Sequence, residues 1–188
     1  MLRYRFCAFA LLSLAAPAWS QAHSFTESQY QRFEIYGGPV FAGSNPTGDT
    51  YGGGFGVGGN FARWAGVMGE FTLLRGSCCS VNTTTLTDYL VGPRVAKPFS
   101  ASSRLGPFAD VLFGGQTLNN SSNHHTWMYS NGTGPAIAAD GGVDVRLTRR
   151  LAIRAELGLV HSWFIPGGGG GTVSNDRWRA ASYVVYRF

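Results

Sequence analysis

The chain has 188 residues, of which 27 are glycine, 14% are aromatic and only 13% carry charge. Glycine at that level opposes helix and no segment sustains a 3.6-residue apolar period, which leaves all-β folds. A formal charge of +5 with no basic run gives no footing for a nucleic-acid partner, and three cysteines are too few for a disulfide framework.

Residues 1–22 begin with Arg3 and Arg5, continue with the apolar run from Phe6 to Ala16, and end in small residues up to Ala22. This pattern is expected to be a cleaved signal peptide, its apolar part too short to span a membrane as a helix. Cleavage after Ala22, with Ser20 as an alternative site, is expected, and 23–188 is then one domain. Cys7 follows bulky residues where a lipoprotein site needs small ones. Nothing after residue 22 approaches ~18 consecutive apolar residues, so no spanning helix is expected.

Strands are predicted at 33–41, 51–62, 65–75, 85–97, 106–117, 136–147, 151–163 and 178–188, where runs of apolar and aromatic residues alternate with turn-rich stretches. Along a strand, side chains point to opposite faces in turn. In the first strand Glu34 opposes Phe33, Ile35 and Phe41. In the second, Gly52, Gly54, Gly56 and Gly58 oppose Phe55, Val57 and Phe61. Glu70 opposes Val67, Phe71 and Leu73; Asp88 and Arg94 oppose Tyr89, Val91 and Val95; Asp110 opposes Val111 and Phe113. The sixth strand sets Asp140, Asp144 and Arg146 against Ile137, Val143, Val145 and Leu147. The seventh sets Arg154 and Glu156 against Leu151, Ile153, Leu157 and Leu159, and the eighth sets Arg179 and Arg187 against Val184, Tyr186 and Phe188. No charge is expected on the apolar face within these spans.

The connections alternate strictly. Those at Arg63-Trp64, Lys97 to Arg104 and Thr148 to Arg150 are short, whereas 42–50, 76–84, 118–135 and 164–177 are long and polar. An eight-stranded antiparallel up-and-down transmembrane β-barrel has this pattern. In hydrocarbon every backbone amide must be paired internally, and a charge facing lipid near the midplane costs ~2–4 kcal/mol, so charges must point inward. An eight-stranded barrel is filled by its side chains. Seven acids (Glu34, Glu70, Asp88, Asp110, Asp140, Asp144, Glu156) and five arginines (Arg94, Arg146, Arg154, Arg179, Arg187) are therefore expected to pair in a polar lumen, which argues against a wide pore. Pro39 and Pro107 are expected at strand ends, and Pro93 at a bulge or local break.

The final heptad, Ser182-Tyr-Val-Val-Tyr-Arg-Phe188, places Val184, Tyr186 and Phe188 on one face. It resembles the carboxy-terminal signature of bacterial outer-membrane barrels, a resemblance that implies recognition by the barrel-assembly machinery. The segments FEIYGGPVF (33–41), GNFARWAGVMGEF (59–71), YLVGPRVA (89–96) and GGVDVRLTRRLAIR (141–154) resemble the small eight-stranded OmpA-like and OmpX-like barrels of Gram-negative bacteria. The likeness covers nearly all of residues 23–188 and specifies architecture far better than activity. A peptidoglycan-binding domain, present in full-length OmpA, is not expected here.

Few residues suggest chemistry. Cys78-Cys79 and His124-His125 each offer two ligands, an incomplete metal site, so no metal and no cofactor is expected. His161 and Ser162 are adjacent, and in a regular strand they point opposite ways, out of reach for a nucleophile and its base. Gly167 to Gly171 has neither the lysine nor the helix of a phosphate loop and reads as a flexible tip. Trp64, Trp163, Phe164 and Trp178 fall near strand ends, as girdle aromatics do.

The expectation is a monomeric outer-membrane protein of the bacterial envelope with a structural role, or a recognition role through loops 118–135 and 164–177, where Trp127, Tyr129 and Trp163 sit. Its partners would be outer-membrane lipid, lipopolysaccharide and the assembly machinery; catalysis is not expected. The alternatives are a lipid A-modifying enzyme, a narrow ion channel and a secreted soluble β-sandwich.

Overall fold

The computed structural model describes residues 32–44, 48–78, 82–99, 103–121, 131–166 and 172–188. The expected signal peptide, Cys79, His124-His125, Trp127, Tyr129 and Gly167 to Gly171 lie outside the described residues. Strands run β1 (Phe33–Ser44), β2 (Gly48–Asn60), β3 (Ala65–Cys78), β4 (Asn82–Ala96), β5 (Leu105–Ser121), β6 (Gly132–Arg146), β7 (Leu151–Pro166) and β8 (Val173–Arg187). Each pairs antiparallel with its chain neighbours, and β8 returns to β1, so the sheet is a closed eight-stranded barrel. Closure is continued past β8 by two reciprocal bonds, Phe33 N to Phe188 O at 3.2 Å and Phe188 N to Phe33 O at 3.0 Å. With no free edge, every strand has a partner on both sides.

All eight strands lie where alternation predicts them, but most run further at the long-loop rim. β5 reaches Ser121 and β8 starts at Val173. There Thr83, Thr85, Thr117 and Asn119 put polar groups on the outer face too, so the backbone ladder continues where the apolar contrast stops. The short-turn rim carries the connections 61–64, 97–104 and 147–150.

Four strand prolines follow a glycine, at Gly38-Pro39, Gly92-Pro93, Gly106-Pro107 and Gly134-Pro135, and each proline is exposed on the outer face. Pro39 is internal to β1, not at a strand end as expected. The pairing of β1 with β8 steps from Gly37↔Val184 to Val40↔Ala181, and that of β4 with β5 from Val91↔Phe113 to Arg94↔Asp110. Two positions drop out and the register resumes unshifted, so Pro93 makes a local gap and no bulge. The preceding glycine fills the gap by close approach. A Cβ on Gly38 would lie 2.1 Å from the carbonyl oxygen of Ser182, and one on Gly92 2.0 Å from that of Val111.

The distribution of side chains is that of a soluble domain turned inside out. Arg154, Arg179 and Tyr183 are among the largest fully buried side chains, while Phe55, Phe71, Val91, Leu157 and Leu159 are exposed on the outer face. Hydrocarbon contributes to the interior as well: Val40, Leu74, Leu86, Leu112 and Val160 form one buried cluster with Tyr36 and Tyr183. The glycines of β2 make room for those tyrosines, since a Cβ on Gly56 would stand 2.1 Å from the Tyr36 ring. The two rings meet edge to face at 4.9 Å.

Candidate functional site: the ionised lumen

Cross-strand register brings the interior charges together. Arg94 stands opposite Asp110, Arg154 opposite Asp144, and Arg187 opposite Glu34. Nearest the short-turn rim, Glu34 is the hub. It accepts from Arg94 Nη1 at 2.8 Å, Arg154 Nη2 at 2.6 Å and Arg187 Nε at 3.0 Å. Arg94 also donates to Asp110 from Nε (2.8 Å) and Nη2 (2.5 Å). Arg154 forks onto Asp144 at 2.7 and 3.0 Å, and Arg187 reaches the same carboxylate. The guanidinium groups of Arg94 and Arg154 lie over the Phe108 ring at 4.2 and 4.8 Å, a stacking that a planar cation allows and an ammonium does not.

A second tier centres on Arg179, which forks onto Asp140 at 2.7 and 2.6 Å and pairs with Glu70. Asp110 and Asp140 are directly opposite in β5 and β6. Like charges so placed repel, and the two arginines that claim them, Arg94 and Arg179, relieve the pair. Gly158 lies between Arg179 and Asp140 in register, and a Cβ there would come within 1.7 Å of Asp140 Oδ1. Tyr36 Oη and Thr72 Oγ1 each donate to Glu70 at 3.1 Å. Glu156 stands between the tiers, 3.6 Å from Arg179 and 4.0 Å from Arg94.

The third tier, toward the long-loop rim, joins Asp88 to Arg177 Nη2 and Gln116 Nε2, both at 2.5 Å, and Ser162 Oγ donates to Gln116 Oε1 at 2.8 Å. Sequence reasoning missed Arg177, which fell in an expected loop. Its signal was present, because it shares the parity of Arg179 and Arg187.

Of the twelve charged residues predicted for the interior, ten are buried. Arg187 is half-buried within the first tier, and Arg146 is half-buried at the short-turn rim. Both guanidinium groups lie over the ring of Phe99, from the 97–104 connection, at 4.9 and 5.1 Å, so an aromatic ring lies against the interior from that end. Val184, Tyr186 and Phe188 face outward and are exposed, and Phe188 stacks on Phe33 with centroids 6.3 Å apart. Ser162 points into the lumen, whereas His161 points outward and pairs with Asp176 of β8, edge-on to Trp163 at 4.2 Å. Nucleophile and base do not meet.

One expectation fails on the outer face. Arg75 lies there, within the predicted third strand and opposite Tyr51 and Thr85. Asp49 and Asp176 occupy the same rim in the strand extensions. All three sit where Tyr51, Trp163 and Trp178 end the apolar belt.

A closed antiparallel eight-stranded cylinder with an apolar exterior and an ionised interior matches a specific group of solved structures. The Neisserial surface protein A, NspA, superposes with a TM-score of 0.66 at 11% identity, over 83% of this chain and 97% of that one. It has the fold of the small eight-stranded outer-membrane barrels. OprG from Pseudomonas aeruginosa matches at TM-score 0.57 and 12% identity, over 84% of this chain and 96% of its own. Ail, the attachment invasion locus protein of Yersinia pestis, matches at 0.55 and 12%, over 85% and 100%. No family model and no curated protein sequence matches the chain.

Proposed function

We propose that the chain is a monomeric barrel of the bacterial outer membrane, with short turns toward the periplasm and long loops outside. Its role in this reading is structural, or recognition of a surface through those loops, without catalysis. The observation that carries it is the inversion of polarity: arginines and carboxylates buried together, phenylalanines and leucines exposed in a continuous belt. A monomeric soluble protein seldom exposes an apolar patch beyond a few hundred Å², and hydrocarbon is the surrounding that makes this face favourable. Ail shares the fold and carries attachment in its name, which supports testing adhesion before other roles. Val184, Tyr186 and Phe188, exposed on the closing strand, suit docking by the assembly machinery, and lipopolysaccharide and phospholipid would contact the belt.

The test is fractionation of the outer membrane followed by gel migration of unheated and boiled samples. A membrane-borne band whose position shifts on boiling is expected; a folded protein in the detergent-free soluble fraction overturns the reading. An epitope inserted in the 122–131 connection is expected to be detected on intact cells. Mass spectrometry of lipid A, with and without expression, is expected to show no change. Loss of one acyl chain, abolished by His161→Ala, would establish the enzymatic alternative instead.

A further inference from the structure

The described charges are divided unequally between the two ends of the barrel. Arg32, Arg63, Lys97, Arg104, Arg149 and Arg150 all lie at the short-turn rim, and among the described residues no aspartate or glutamate side chain joins them there. The described acids are otherwise in the lumen, apart from Asp49 and Asp176 at the opposite rim. The ion pairs of the interior network draw on arginines that point inward, namely Arg94, Arg154, Arg177, Arg179 and Arg187.

Beside the cationic rim the outer wall is indented. A groove of about 310 Å³ lies between the ends of β4 and β5, bounded by Trp64, Val95, Pro107 and Ala109, with Lys97 at its margin. It exists because Pro107 and Ala109 are short where neighbouring outward positions carry larger side chains. Its floor is almost wholly apolar, and Trp64, 63% exposed, stands at the level where interfacial aromatics sit. Lys97 is exposed at the end of the groove, and Arg63 precedes Trp64 in the adjoining turn. A shallow apolar hollow on the outer face, with Lys97 at its margin and Arg63 in the adjoining turn, fits a molecule with a hydrocarbon chain and an anionic head.

We propose that this groove is a binding site for an anionic phospholipid of the periplasmic leaflet, with one acyl chain along Val95, Pro107 and Ala109 and the phosphate against Lys97 and Arg63. The site and its leaflet rest on the reading given under Proposed function. Each cation near an anionic headgroup contributes enough to change binding about fivefold. The remaining rim cations add a diffuse attraction, which salt weakens over a Debye length of ~8 Å at physiological ionic strength.

The experiment uses the full mature chain with Trp127, Trp163 and Trp178 replaced by phenylalanine, so that Trp64 reports alone. It is reconstituted in phosphatidylcholine vesicles containing dibrominated phosphatidylglycerol or dibrominated phosphatidylcholine as quencher. Trp64 is expected to be quenched at a lower mole fraction of the anionic lipid, with a relative association constant of about 25, fivefold for each of Lys97 and Arg63. Lys97→Gln is expected to lower that ratio about fivefold, Ala109→Phe to lower quenching by both lipids by filling the groove, and Arg149→Gln, in another turn, to leave Trp64 unchanged. Migration of unheated and boiled samples from the same vesicles shows whether the barrel inserted. An inserted barrel with equal quenching by the two lipids, or with Lys97→Gln equal to the parent, overturns the site alone. A chain that inserts into neither vesicle overturns both the site and the membrane reading.

Discussion

At the scale of single residues the interior is a set of shared ions. Glu34 serves three arginines and Arg179 bridges Glu70 and Asp140, so removing one partner leaves others buried and uncompensated. Arg179→Met is expected to destabilise the barrel by about 3–5 kcal/mol, measured by urea unfolding in lipid vesicles. Replacing Glu70 and Asp140 by glutamine and asparagine in the same background is expected to recover part of that loss. Which residues face inward was legible in the sequence, because a period of two needs only a strand. Who pairs with whom was not: Glu34 and Arg94 are 60 positions apart and Glu34 and Arg154 are 120, and their meeting depends on closure and register. Arg177 was missed because the polar neighbours Asn175 and Asp176 hid the alternation.

At the scale of strands, regions of high contrast were legible and regions of low contrast were not. β4 and β5 extend through Thr83, Thr85, Thr117 and Asn119, which make the outer face polar as well, so the ladder outruns the hydrophobic signal. Proline misled in the opposite direction. Pro39 was expected to end a strand, yet it lies inside β1, because its missing N–H falls where Gly38 brings the backbone against Ser182. Gly38→Ala is therefore expected to cost about 1–3 kcal/mol by overpacking, read as a lower urea midpoint, while Pro39→Ala changes it little. A Gly38→Ala protein as stable as the parent would show that the neighbouring strand gives way freely.

For the whole molecule, the closed cylinder follows from the sequence once alternation and loop lengths are taken together, and the outer face sets its energetics. Phe71→Arg, in the middle of β3, is expected to cost ~2–4 kcal/mol in bilayers, whereas Thr83→Arg, at the long-loop rim, costs ~0–1 kcal/mol; unfolding in vesicles compares them. The filled lumen gives a further expectation, namely no resolvable conductance steps in planar bilayers, against which steady openings would argue. Closure also governs how the molecule can assemble. Glu34 belongs to the first strand, while two of its three arginines arrive with the seventh and eighth. An unfinished sheet therefore leaves Glu34 short of two of its three cationic partners until the seventh and eighth strands arrive. Acquisition of stability is thus concentrated in one terminal event, which makes half-built cylinders transient species.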